Sequence, residues 1–219
     1  MTLALDRNPE TDGYRADPVP PILARPRRSL AATLAAVLTI ALVSGLGSAY
    51  LAIERGATFD RLRLGAWEAH PVEGTPEADP YSAATHARTG RVPLASGEGL
   101  IFFATTDSAG APLTPACEYL ITGKAAPARL WTLTALDASL RLTETVNPRA
   151  GLHSRQILRR PDGTFEIRTA ARARPGNWLP TAPDADGLVL ALRLYDTPLT
   201  TGTGVANVPM PEIRRGRCR

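Results

Sequence analysis

The side chains of this sequence best suited to moving a proton are three histidines, His70, His86 and His153, and four carboxylates bordering apolar segments, Glu98, Asp137, Glu144 and Asp196. Two of those carboxylates, if brought to the right separation, could serve as acid and base of a glycosidase, and only the fold can set that separation. The histidines show no metal-ligand spacing to one another. Cys117 and Cys218 lie far apart without a neighbouring His pair, so no metal site is expected. His153 and Ser154 adjoin each other on a predicted strand, where successive side chains point to opposite faces and cannot form a nucleophile–base pair. Gly202-Thr203-Gly204 lacks the strand-to-helix setting and the Lys-Ser/Thr of a phosphate loop. Ser96-Gly97-Glu98-Gly99 lacks the Gly-x-Ser-x-Gly pattern and reads as a turn.

A binding role has a better candidate. Asn177-Trp178, with Arg155 nearby, could offer an aromatic platform to a sugar or a peptide. A Trp set between Gly176 and Pro180 could equally plug the end of a sheet core. The expected function is therefore a noncatalytic β-rich module that binds or assembles envelope components and needs no cofactor. The alternative is a carbohydrate- or peptidoglycan-directed hydrolase using paired carboxylates.

These residues must be held somewhere, and one segment says where. Ser29 to Ile53 carries no charge. As a helix, Leu30 to Ile53 would span about 36 Å, against about 30 Å of hydrocarbon. Gly47-Ser48-Ala49 resembles a cleavage site, but the apolar run exceeds a signal core and a polar tail precedes it, so an uncleaved anchor is expected. No Cys near the helix end suggests a lipoprotein. Arg25, Arg27 and Arg28 abut the start of the helix, whereas Glu54 and Asp60 offset Arg55, Arg61 and Arg63 beyond it. This bias predicts a bacterial inner-membrane protein anchored through residues 30–53, N-terminus cytoplasmic and C-terminal domain periplasmic. Ala41 with Gly45, and Ser44 with Ser48, would permit close helix pairing.

The net charge of +4 comes from arginine, since Lys124 is the sole lysine. Arg149, Arg155, Arg159, Arg160, Arg168, Arg172 and Arg174 cluster, and Arg214, Arg215, Arg217 and Arg219 crowd the C-terminus. Such groups grip phosphates or anionic headgroups, or form a solvated sheet face with a basic tail. Outside the cytoplasm nucleic acid is excluded as a partner. An oxidising compartment permits a Cys117–Cys218 bond, which in the chain-entropy model would be worth about 4–5 kcal/mol. Spacing leaves open whether the sulfurs meet.

Four regions result: a disordered cytoplasmic tail (1–28), a transmembrane helix (29–53), a connector (54–78) containing Trp67, and a β-rich domain (79–219). Asp79 as N-cap, Pro80 at the first helical position and Gly90 as stop predict a helix over Pro80–Arg88. Predicted strands cover Leu100–Thr106, Cys117–Thr122, Arg129–Asp137, Leu152–Leu158, Thr164–Thr169 and Leu188–Tyr195, the last one central. Pro161-Asp162-Gly163 suggests a hairpin between the fourth and fifth. The expected fold is mainly β, an antiparallel sandwich or jelly-roll-like domain.

Asp79-Pro80-Tyr81, Ala87-Arg88-Thr89-Gly90, Gly97-Glu98-Gly99, Phe102-Phe103, Ser154-Arg155, Asn177-Trp178-Leu179-Pro180 and Leu192-Arg193-Leu194-Tyr195 carry a family likeness. From Asp79 onward the chain resembles the bacterial family called domain of unknown function 1214. It looks like that family's short membrane-anchored form, without the partner domain of unknown function 1254. The resemblance implies a jelly-roll-like fold and an envelope location, and it implies no reaction and no catalytic residue.

Overall fold

A computed structural model describes residues 29–55, 61–89, 93–95, 97–147, 149, 151–201 and 208–218. The readings of 1–28 as a disordered tail, Gly90 as a helix stop and Gly202–Gly204 as a loop lie outside these residues. The chain divides into two units near Ser48.

The first unit holds most of helix α1, Leu30–Arg55, whose apolar side chains Leu34, Leu38, Leu42 and Leu46 are all exposed. It is long and apolar enough to cross a bilayer. Its hydroxyls turn back on the helix. Thr39 Oγ1 donates to the Ala35 carbonyl at 2.8 Å and Ser48 Oγ to the Gly45 carbonyl at 3.0 Å. Polar side chains satisfied this way suit an apolar environment.

Among its described residues the second unit is mainly β: ten strands in two sheets, with one short α-helix, α2 (Pro80–Thr89), and a 3-10 turn at Pro198–Thr201. The strands are β1 (Leu62–Leu64), β2 (Trp67–Ala69), β3 (Gly99–Ala104), β4 (Cys117–Gly123), β5 (Leu130–Leu136), β6 (Gly151–His153), β7 (Phe165–Ala170), β8 (Asn177–Pro180), β9 (Val189–Tyr195) and β10 (Glu212–Cys218). The first sheet runs β1-β2-β3-β9-β5-β6 and the second β10-β4-β7-β8. Alternation explains the packing. Phe102, Leu190, Leu192, Leu194 and Leu133 face inward from one sheet, Tyr119, Ile121, Phe165, Ile167 and Ile213 from the other, and together they form one core. Trp131 and Phe165 meet across it with ring centroids 5.1 Å apart.

β9 lies between β3 and β5, paired along its length with both. α2 begins as its capping residue requires: Asp79 Oδ1 accepts from the Tyr81 and Ser82 amides at 2.9 and 3.1 Å.

Three segments depart from the sequence expectations. Leu152–Leu158 is not one strand: only Gly151–His153 pairs, with β5, and the chain then crosses to the other sheet. The expected hairpin shrinks to a turn closed by the Gly163 amide on the Arg160 carbonyl and a single Arg159–Phe165 bridge. The reason is a competing partner, since Asn177 takes both the amide and the carbonyl of Leu158. The connector also contributes structure: β1 and β2 form a hairpin that joins β3 through Glu68 and Phe103. Trp67 is buried there, its Nε1 donating to the Pro211 carbonyl at 2.8 Å. Finally, Arg214, Arg215 and Arg217 sit on strand β10, not on a loose tail.

β8 pairs parallel with β7 after a return of only six residues, 171–176. Adjacent parallel strands usually need a connection of about a dozen. The short return works because β8 is four residues long and starts level with Ile167, entered through Gly176 at φ +83°. Pro180 ends β8 at the sheet edge, where its missing amide costs no ladder bond.

Candidate functional site

The second sheet presents its outer face to solvent, and the pairing aligns that face into rows. Arg214 lies opposite Leu120, Leu120 opposite Arg168, and Arg168 opposite Trp178. Because Ile213, Ile121, Ile167 and Leu179 point into the core, their alternates share the outer face. The next row holds Glu212, Thr122 and Glu166.

Charge on this face is ordered by pairs. Glu166 accepts from Arg160 at 2.8 Å and from Arg168 at 2.7 Å, and Glu212 pairs with Arg214 at 3.1 Å. One guanidinium remains in excess. The Trp178 indole N–H is spent internally, donating to the Ala170 carbonyl at 2.8 Å, which fixes the ring against the sheet edge. The row therefore offers guanidinium forks beside a fixed aromatic, a combination that recognises anionic or planar groups and contains no nucleophile.

Of the three residues singled out for binding, Trp178 alone lies on this face. Asn177 is structural: its Nδ2 donates to the carbonyls of Leu158 and Glu166, and its Oδ1 accepts the Leu158 amide at 2.7 Å. Both amide protons are thereby used. Arg155 is exposed in the turn after β6, without hydrogen bond or ion pair among the described residues. The arginine beside an aromatic pair is Arg159, whose guanidinium carbon stands 5.9 Å from the Trp131 ring and 5.8 Å from that of Phe165.

The four carboxylates fall at two ends of the first sheet. Glu98 and Asp196 meet through the Asp196 amide on the Glu98 carbonyl, next to the Tyr195–Leu130 pair. Asp137 follows the other end of β5, where its carboxylate caps the Arg141 amide at 2.9 Å. Seven strand residues separate those ends, about 20 Å at a strand's rise. Asp196 is 71% exposed and bound to Arg129 at 3.1 Å. Glu144 lines a groove of about 360 Å³ with Thr143, Thr145, Asn147 and Arg149, where no second carboxylate joins it among the described residues.

Among the histidines, His153 lies opposite Thr132 on the outer face of the first sheet. His70 Nδ1 and His86 Nε2 lie 3.8 and 3.6 Å from Glu73 Oε1, which brings α2 near the segment after β2 without a hydrogen bond between them. Among the described residues no three His, Cys, Asp or Glu side chains are placed to hold a metal ion.

Cys117 and Cys218 are joined in a disulfide between β4 and β10, at directly paired positions. Beside it lies a groove of about 210 Å³ lined by Glu118, Arg172, Arg174 and Arg217. The Arg clusters are visible in the sequence but their convergence is not. The parallel β7–β8 register sets Arg168 beside Trp178, and neither strand pattern announces it.

Comparison with known proteins adds a family-model match over part of the chain and a fold. Residues 98–199 match the family model described as a protein of unknown function, DUF1214. That stretch includes β8 and the Leu192–Tyr195 strand and excludes α2 and β10, so it is shorter than the likeness read from Asp79 onward. The fold is similar to that of the VPA0106 protein of Vibrio parahaemolyticus, at TM-score 0.55 and 18% identity over 89% of this chain. This chain spans only 47% of that protein. An uncharacterized protein from Burkholderia cenocepacia aligns over 78% of this chain and 40% of its own, at 19% identity and TM-score 0.40. No curated protein matches the chain.

Proposed function

We propose that this chain, whose residues 98–199 match the DUF1214 family model, is a single-pass inner-membrane protein that presents a noncatalytic β domain to the periplasm. There it binds an envelope protein or glycan through the outer face of its second sheet. The observation that carries this reading is the Arg214–Leu120–Arg168–Trp178 row, an aligned cationic and aromatic surface without a reactive group. The apolar helix α1 supplies the anchor. The arginines before it favour a cytoplasmic N-terminus, and the Cys117–Cys218 bond favours an oxidising compartment for the β domain. The hydrolase alternative has no comparable support, because its carboxylates are solvated or separated by the length of a strand.

Native mass spectrometry of full-length protein, gently extracted from its own membrane, tests the assignment. The wild type should carry a stoichiometric protein or glycan that Arg168→Ala/Trp178→Ala loses while keeping its fold. A bound species indifferent to that variant would overturn the face. Turnover of an envelope glycan, abolished by replacing Glu98, Glu144, Asp196 or His153, would overturn the noncatalytic reading. Nonreducing peptide mapping from intact cells should recover Cys117 joined to Cys218, whereas two free thiols would contradict the topology.

A further inference from the structure

We propose that the groove beside the Cys117–Cys218 disulfide is an anion site for a phosphate group, held by Arg172 and Arg217. This site does not depend on the Arg168–Trp178 face and would stand if that face proved inert.

The groove is built by three separate constraints. Arg172 and Arg174 stand two residues apart on the return that leads to β8, and both line it. Arg217 lies on the irregular end of β10, where the register shifts between Arg215 and Cys218, so one extra residue is accommodated opposite β4. The disulfide pins the next residue, and Gly216 lets the strand pass closely, since a Cβ there would stand 3.2 Å from the Glu118 carbonyl oxygen. The backbone that carries Arg217 is thereby fixed at the rim of the groove, with its exposed side chain among the lining.

Charge then selects the ligand. Glu118 accepts from Arg174 Nε at 3.1 Å and, more closely, from Arg174 Nη2. That bond holds the Arg174 guanidinium above its ordinary pKa and leaves it committed. Arg172 and Arg217 make no ion pair or hydrogen bond among the described residues. Among the described residues, three guanidinium groups against one carboxylate leave a local charge of +2, which a phosphate monoester neutralises. Guanidinium forks match phosphate oxygens in geometry as well as in charge. The volume of about 210 Å³ admits such a group with several waters, at about 30 Å³ per water. A free phosphate ester and a lipid headgroup share this chemistry, and the experiment separates them.

Full-length protein in phosphatidylcholine nanodiscs is titrated calorimetrically with inorganic phosphate, and in parallel assayed for capture of vesicles containing phosphatidic acid, a phosphate monoester, against phosphatidylcholine vesicles. Arg172→Ala/Arg217→Ala should weaken at least one of the two interactions by about tenfold or more, equivalent to about 1.4 kcal/mol. The charge-matched Arg141→Ala/Arg149→Ala should leave both unchanged. Glu118→Gln, which releases Arg174 toward the groove, should tighten binding, an effect that misfolding cannot imitate. Dependence confined to phosphate identifies a soluble ester as the source, and dependence confined to vesicles identifies a headgroup. Absence of binding in both arms, or equal losses in the two double variants, overturns the site.

Discussion

The two sheets share one core and differ in what holds their outer sides. The six-stranded sheet carries a second apolar cluster outside, where Leu136, Val189 and Ala191 are buried beneath Phe103 and Leu140. The four-stranded sheet carries Glu118, Glu166, Arg168, Glu212 and Arg214 outside, with few apolar groups between them. Its two edges are secured otherwise: β10 by a disulfide, and β8 by the Asn177 amide and the Trp178 N–H. Apolar packing is spread over many atoms and tolerates solvent poorly, so it suits a scaffold. Discrete ties leave a face free to meet a partner.

That contrast is open to breakage. The largest effect is expected from Cys117→Ala/Cys218→Ala, which removes a closure of 101 residues and about 4–5 kcal/mol by the chain-entropy model. Hydrogen exchange should show β10 and β4 opening first, and uniform loss of protection across both sheets would erase the distinction. Leu192→Ala, in the fully buried centre of the other sheet, should cost about 3 kcal/mol in denaturant unfolding and act globally. Asn177→Ala should cost about 1 kcal/mol by removing the side-chain bonds to the exposed Leu158 and part-buried Glu166 backbone groups. Its exchange signature should stay within β8, the turn before β7 and their neighbours.

An equally small effect lies outside both sheets. Asp79→Ala should destabilise α2 by about 1 kcal/mol, read by helical circular dichroism. The Ser82 hydroxyl and the first-turn amides hold the Asp79 carboxyl below its ordinary pKa in the folded state. Its stabilisation is thus fully present above the ordinary value of about 3.9 and is lost as pH falls through the lower folded value. An acid titration of the variant should lack that component.

The same contrast governs what can be read from sequence. β3, β4, β5 and β9 are legible because six or seven residues of alternating or continuous apolar character specify a buried strand locally. β1, β2 and β6 are three residues each, and β10 is mostly charged, so their strand character comes from neighbours distant in sequence. Asn177-Trp178 stands out as unusual, but the types of two adjacent residues do not say that one is consumed by Leu158 and the other set beside Arg168. Chemistry at a surface depends on register across strands, and β8 owes its register to an atypically short return.

Trp67 has a mechanical consequence. Along the chain from the N-terminal side, the Glu54–Arg88 ion pair comes first, at 2.6 Å, and the β1–β2 hairpin is the first element of either sheet to follow. The hairpin meets β3 at a single paired position, Glu68 with Phe103, so its ladder alone would peel under small force. Its buried indole acts as a rivet, and the bond from Nε1 to the Pro211 carbonyl passes the load onward to β10 and the disulfide. The hairpin is therefore coupled to the covalently closed sheet through one side chain more than through its own ladder.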